Sequence, residues 1–138
     1  MQKVFIDCDV FLDLFLKRSP FFEGAREVFT LIELKKIKGF TSGLVFSNLF
    51  FILSKSLNKK EALGILRKLN ILIHVSEIKQ TTVDKALASK ISDFEDAIQN
   101  YCAVEEGVEY FITRNKKDFK SSELTVLSPK EFLSIHQS

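Results

Sequence analysis

Residues 4–13, Val4-Phe5-Ile6-Asp7-Cys8-Asp9-Val10-Phe11-Leu12-Asp13, constrain this chain more than any other stretch. Val4, Phe5 and Ile6 form an unbroken apolar run, as a strand covered on both faces requires. Asp7 falls at the carboxyl end of that strand, the side on which open parallel sheets bind ligands. Asp9 stands where a helix N-cap is wanted, because its carboxylate can accept from free backbone N–H groups. Asp13 lies one turn further on, on the same helical face. Three carboxylates this close repel one another, and unless a cation neutralises them at least one pKa rises. That electrostatic cost makes the stretch a candidate site.

A chain of 138 residues is most simply one domain. Its hydrophobic content of 46% supports a real core, and 14 Phe with no Trp assigns much of the burial to phenylalanine. Cys8 and Cys102 are too few and too far apart for a disulfide framework or a zinc site, so they read as small buried hydrophobes in a reducing compartment. Asp7, Asp9 and Asp13 interrupt the N-terminal apolar run, which argues against a signal peptide. No stretch approaches the roughly 20 apolar residues of a membrane span. The expected protein is soluble and cytoplasmic. A net charge of +2 does not by itself point to nucleic acid.

Strands and helices alternate along the chain. A helix is expected over residues 10–17, and another after Ser19-Pro20, with Ser as cap and Pro in the first helical position, closed by Gly39. Gly39-Phe40-Thr41 reads as a short strand leading into a Thr41/Ser42 cap. Residues 43–56 form a helix that is apolar nearly all round, hence central or buried at a subunit contact. Asn58 caps a helix over residues 59–69, and residues 71–75 read as a strand. Thr81 or Thr82 starts the next helix. Ser92-Asp93-Phe94-Glu95 is a capping box with Ser at the cap, opening a helix that stops at Gly107. Residues 108–113 and 124–127 are strands, and Ser128-Pro129-Lys130-Glu131 caps a terminal helix. The alternation predicts an α/β domain with a mainly parallel sheet.

Four places put polar groups at the ends of apolar elements: Asp7 with Asp9 and Asp13; Asn48; Asp93 with Asp96; and Thr113-Arg114-Asn115-Lys116-Lys117-Asp118. In a parallel sheet the first and last share the carboxyl edge. Carboxylates gathered there suit a hard cation, Mg2+ or Mn2+, which takes oxygen ligands, keeps several waters and serves phosphate chemistry. Each residue also has an ordinary explanation. Asp9 is a cap, and Asp13 a solvated residue or a partner for Lys17. Asp93 suits a first helical turn through the macrodipole. Asn48 bonds a neighbouring helix, and Asp118 pairs with Lys116 or Lys117. Lys35-Lys36-Lys38, Lys59-Lys60 and Arg67-Lys68 read as solvated faces. Only Arg114-Asn115-Lys116-Lys117 reads as a phosphate-binding run.

Taken as a set, these motifs resemble the PIN-domain family of metal-dependent ribonucleases, in particular VapC-like toxins of toxin–antitoxin pairs, over almost the whole chain. They are Asp7-Cys8-Asp9 followed by apolar residues and Asp13; Thr41-Ser42 leading an apolar helix with Asn48; Asp96-Ala97-Ile98 at a helix start; and Thr113-Arg114-Asn115 with Asp118-Phe119. The resemblance implies a three-layer α/β/α fold and a Mg2+- or Mn2+-dependent endoribonuclease. It makes Asp7 and Asp96 the principal catalytic and metal-binding acids, with Asp93 and Asp118 assisting. Asp9, Asn48, Thr113 and Asn115 support the site, and Arg114 and Lys117 bind RNA phosphate. It also implies RNA as substrate, a cognate antitoxin and a homodimer. Asn48 stands where the family usually has Glu, removing one charge and one base, and Asp9 stands in place of the usual Asn.

Two other readings compete. One is a PIN-like domain with a weakened acid set that binds RNA or a protein without cutting it. The other is a haloacid-dehalogenase-like phosphatase, suggested by Asp7-Cys8-Asp9, but that family expects Gly-Thr where this chain has Val10-Phe11.

Overall fold

The computed structural model describes residues 1–136. Among them five strands form one sheet in the order β3-β2-β1-β4-β5, and every pairing is parallel. The strands are β1 (Gln2–Ile6), β2 (Ile37–Ser42), β3 (His74–Ser76), β4 (Tyr110–Ile112) and β5 (Thr125–Leu127). The helices are α1 (Cys8–Phe15), α2 (Phe22–Glu33), α3 (Gly43–Ser56), α4 (Lys59–Leu72), α5 (Gln80–Leu87), α6 (Phe94–Glu106) and α7 (Pro129–His136). The expected α/β/α architecture is present, with the sheet wholly parallel.

Alternation along β1 builds the two cores. Val4 and Ile6 face a cluster formed with α1, α2, α3, α4 and α7, including Val10, Phe11, Val28, Leu49, Leu69 and Phe132. Phe5 faces the other side, with Phe40, Phe111, Ile98, Cys102 and Phe119. Phe5 and Phe111 stack at 5.2 Å between centroids. A strand covered on both faces has no polar alternation, which is why residues 4–6 read as a continuous apolar run.

β1 is central, and the chain winds outward from it in both directions: β2 then β3 on one side, β4 then β5 on the other. The strand order therefore switches between β1 and β4, and the crevice beyond their carboxyl ends is where such sheets place ligands.

Several local expectations are corrected. α1 is capped by Asp7, which accepts from Cys8 N, and Asp9 sits inside the first turn. Asp7 ends the strand and caps the helix at once because a single residue separates Ile6 from Cys8. Ser19-Pro20 does not start α2. That peptide is cis, and Arg18 O accepts from the backbone N of Phe21 and Phe22, a turn that delays the helix to Phe22. Gly39 does not close α2; it lies inside β2, where a Cβ would come within 2.8 Å of Ile32 Cδ1 and 2.7 Å of Ile73 Cδ1. The strand expected over residues 71–75 divides: α4 runs on to Leu72 and β3 begins at His74. A short apolar run fits either period, and burial of Ile73 with exposure of Ile71 follows the helix. α6 is capped by Asp93 and not by Ser92. Asn58 caps α4, Gly107 closes α6 at φ 74°, and Ser128 and Glu131 form the reciprocal box at α7, all as the sequence predicts.

Candidate active site

The edge beyond β1 and β4 is organised by Thr113. Its hydroxyl oxygen lies 2.8 Å from Asp7 Oδ2 and 3.2 Å from Asp9 Oδ2, and accepts from Asn115 N at 3.1 Å. Asp7 Oδ1 accepts from Cys8 N at 2.8 Å. Asp9 Oδ2 accepts from Arg114 N and from Asn115 Nδ2, each at 3.1 Å, while Asp9 Oδ1 is buried without a hydrogen-bond partner. Residues more than 100 positions apart thus share one hydrogen-bond network. β1 and β4 are adjacent and parallel, so their carboxyl ends must coincide.

The electrostatics follow from this packing. Asp7 is raised above the usual carboxylate range, first by burial and then by the like charges of Asp96 and Asp118, against the lowering effect of Thr113 and Cys8 N. Asp9 is raised too, by burial and by Asp7. Asp96, at the start of α6, is raised to about 6 by burial, then by Asp93, Asp118 and Asp9. The same field and burial push the half-buried Cys8 thiol up to about 12, so it is an inert neighbour and not a nucleophile. Carboxylates from β1, α6 and the turn after β4 therefore share one field.

The other expected residues are placed as follows. Asp93 Oδ1 accepts from Asp96 N at 3.0 Å, so the cap fixes the start of the helix that carries Asp96. Asp118 and Lys117 lie exposed on the single 3-10 turn Lys116–Phe119, and Phe119 anchors that turn in the core. Lys116 is drawn away to Glu131 at 2.8 Å. Ser42 is buried as the cap of α3, and Thr41 donates to Ile6 O at 3.0 Å, so both hold the strand ends together.

One role is corrected. Asp13 is neither solvated nor paired with Lys17: it is 2% exposed, with Oδ2 and Oδ1 accepting from Arg114 Nε at 2.8 Å and Nη2 at 3.0 Å. Arg114, expected on RNA phosphate, makes this fork and lies with its guanidinium 4.1 Å over the Phe21 ring. A carboxylate buried on α1 needs such a cation. Residue reading also missed Glu95. Expected to turn back on Ser92, its carboxylate accepts from Asn48 Nδ2 at 3.3 Å.

The sequence profile of the PIN domain matches residues 3–117. The chain belongs to the PIN-domain family. Ribonuclease VapC1 of Aquifex aeolicus (strain VF5) is 26% identical to this PIN domain over 136 residues, covering 95% of this chain and 93% of its own. Among solved structures, VapBC2 of Rickettsia felis bound to a promoter DNA fragment superposes with a TM-score of 0.72 at 16% identity, covering 92% of this chain and 98% of that one. A toxin–antitoxin complex from Klebsiella pneumoniae gives 0.69 at 21% identity, covering 91% and 97%. At such identities these structures establish the shared fold. Within its family the chain is VapC-like.

Proposed function

We propose that this chain is a single PIN domain acting in the cytoplasm as a Mg2+- or Mn2+-dependent endoribonuclease, the toxin of a toxin–antitoxin pair. The observation that carries the reading is the carboxylate set Asp7, Asp9 and Asp96 beside Asp118: burial and the neighbouring acids raise the first three while the adjacent guanidinium is bound to Asp13. Such a cluster at a sheet's carboxyl edge is costly unless a cation joins it. The donors fit a hard divalent ion: all are oxygens, and Asp9 Oδ1 is buried and unpartnered. Among the described residues no group of three acidic, histidine or cysteine side chains is placed to hold a metal ion. Mg2+ keeps several waters and takes one or two carboxylates together with substrate phosphate.

Asp7 and Asp96 are the residues we assign to the ion, with Asp93 or Asp118 assisting directly or through water. When bound, the ion supplies Lewis acidity toward water and the phosphodiester. The protein supplies orientation. Thr113 and Cys8 N fix Asp7, Arg114 N and Asn115 Nδ2 fix Asp9, and the Asp93 cap fixes Asp96. Lys117, exposed beside the cluster, is our candidate for RNA phosphate. The ribonuclease relative supports RNA as substrate, and the toxin–antitoxin complexes support an antitoxin partner. We place a second copy of the chain against α3, where Phe51 is 48% exposed.

The test is cleavage of a mixed RNA pool by the wild type and Asp96→Asn in parallel, with Mg2+ and with EDTA. Wild type should cut only with the metal, and Asp96→Asn should be about 100-fold slower or worse. Cleavage that survives EDTA or the substitution defeats the reading; RNA binding in EDTA with no cleavage under any condition points to a binding module. Expression without the cognate antitoxin should arrest growth.

A further inference from the structure

α3 and α6 are joined by a bond between side chains 47 residues apart, Asn48 Nδ2 donating to Glu95 Oε2 at 3.3 Å. Glu95 sits in the first turn of α6, next to Asp96. Its charge is felt by Asp96 and also by Cys8, which lies between Asp7 and Asp9. The carboxylate therefore stands within electrostatic reach of Asp96 and of Cys8, the residue between the two strand-end acids. An exposed glutamate in a first helical turn has two easier choices, pointing into solvent or turning back on the cap. Here the Asn48 amide holds it in a third direction. A carboxylate at position 48 would face Glu95 at hydrogen-bond distance and repel it. An amide donates to Glu95 and adds no charge, so the pair keeps one full negative charge at this place.

Resting on the cation-site reading above, we propose that Glu95 is a positioning acid of that site and that Asn48 is the residue that aims it. The charge absent from position 48 on α3 is supplied from α6. Glu95 acts directly or through a water on the cation, and Asn48 acts through Glu95. On this account the asparagine is one half of a matched donor–acceptor pair and does not mark a degraded site.

The experiment is Mn2+ titration of the metal-stripped full-length chain, followed by the paramagnetic resonance of free Mn2+, with thermal melting alongside. Glu95→Gln, which keeps the shape and removes the charge, should weaken Mn2+ binding about 10-fold with little change in melting. Asn48→Ala should weaken it by a smaller factor, roughly 3-fold, because Glu95 is present but no longer held. The exchange Asn48→Glu with Glu95→Gln should return binding to within roughly 3-fold of wild type, since the charge comes back from the opposite side. Unchanged Mn2+ affinity in Glu95→Gln, or losses that simply accumulate in the exchange variant, overturns the pairing. Asp96→Asn separates the levels. If it abolishes Mn2+ binding while Glu95→Gln leaves the affinity unchanged, only the pairing falls. If wild type and Asp96→Asn bind Mn2+ equally, the cation site falls with it.

Discussion

Thr113 has one hydroxyl hydrogen and two carboxylate oxygens within reach of it, on Asp7 and Asp9. Its lone pairs also serve Asn115 N. One hydrogen cannot serve both acids at once, so two carboxylate oxygens crowd one hydroxyl, and a proton on one carboxyl or a bound cation relieves their repulsion. The raised pKa values of Asp7, Asp9 and Asp96 state the same demand. Their sign has a consequence for stability. A carboxyl whose pKa is higher folded than unfolded keeps its proton in the native state after the unfolded chain has lost it, so stability falls as pH rises across the interval. Asp96 at about 6 and Asp9 at about 7, against an ordinary 3.8, set the window. In EDTA the melting temperature should decline between about pH 4 and pH 7, and Asp9→Asn should remove much of the decline. Mg2+ should restore stability at pH 7 and do little at pH 5. A flat or rising melting temperature over that range in EDTA would contradict the cluster. Thr113→Val withdraws a donor that lowers both acids, and should move the pH profile of cleavage to the alkaline side.

The junctions between elements are where side chains of distant origin meet. Asp13 is buried on α1, and its two oxygens take the Arg114 fork from the loop after β4. Removing the arginine leaves a buried charge with Arg18 Nη1, at 4.0 Å, as its remaining cation. Arg114→Ala should cost about 2 to 3 kcal/mol in urea denaturation, short of a fully buried pair because the guanidinium is partly wet. Arg114→Lys should recover little, since lysine lacks the fork. Inside β2 the constraint is steric. Gly39 leaves room for Ile32 from α2 and Ile73 from the end of α4, whose terminal methyls lie within 2.8 Å of a Cβ built there. Gly39→Ala should destabilise by about 1 to 3 kcal/mol, and combining it with Ile32→Val, which removes the terminal methyl from α2, should cost less than the sum of the two.

At the scale of the whole molecule, the order β3-β2-β1-β4-β5 decides where chemistry can occur. Asp7 follows β1, Ser42 ends β2 and Thr113 follows β4, and parallel strands put all three on one edge. The apolar residues of α1 go into the core, with Val10, Phe11 and Leu12 all buried. α3 buries Val45, Leu49 and Leu53 but leaves Phe51 outside, under Lys55 Nζ at 4.1 Å. If a second copy covers that face, Phe51→Glu should convert a dimer to a monomer in sedimentation velocity without lowering the melting temperature of the monomer. A wild-type chain that sediments as a monomer removes that assignment.

Local pattern determined the elements and their order: an uninterrupted apolar run for the two-sided strand β1, Asn58 and Ser128 at helix starts, Gly107 at a helix end. These signals are carried by neighbours in sequence, through backbone dihedrals and free N–H groups, and need no distant partner. The motif set likewise marked Asp7, Asp9, Thr113 and Asn115 for one site, and the structure joins them in one network. What tertiary structure alone decided is which polar group meets which. Arg114 went to Asp13 because burial left that carboxylate in need of a cation, and Glu95 left its cap for Asn48 because α3 offered a donor there. Gly39 became a strand residue because two isoleucines from other elements pack over it. Such choices depend on desolvation and contact across many tens of residues, a separation at which no periodicity in the chain carries information.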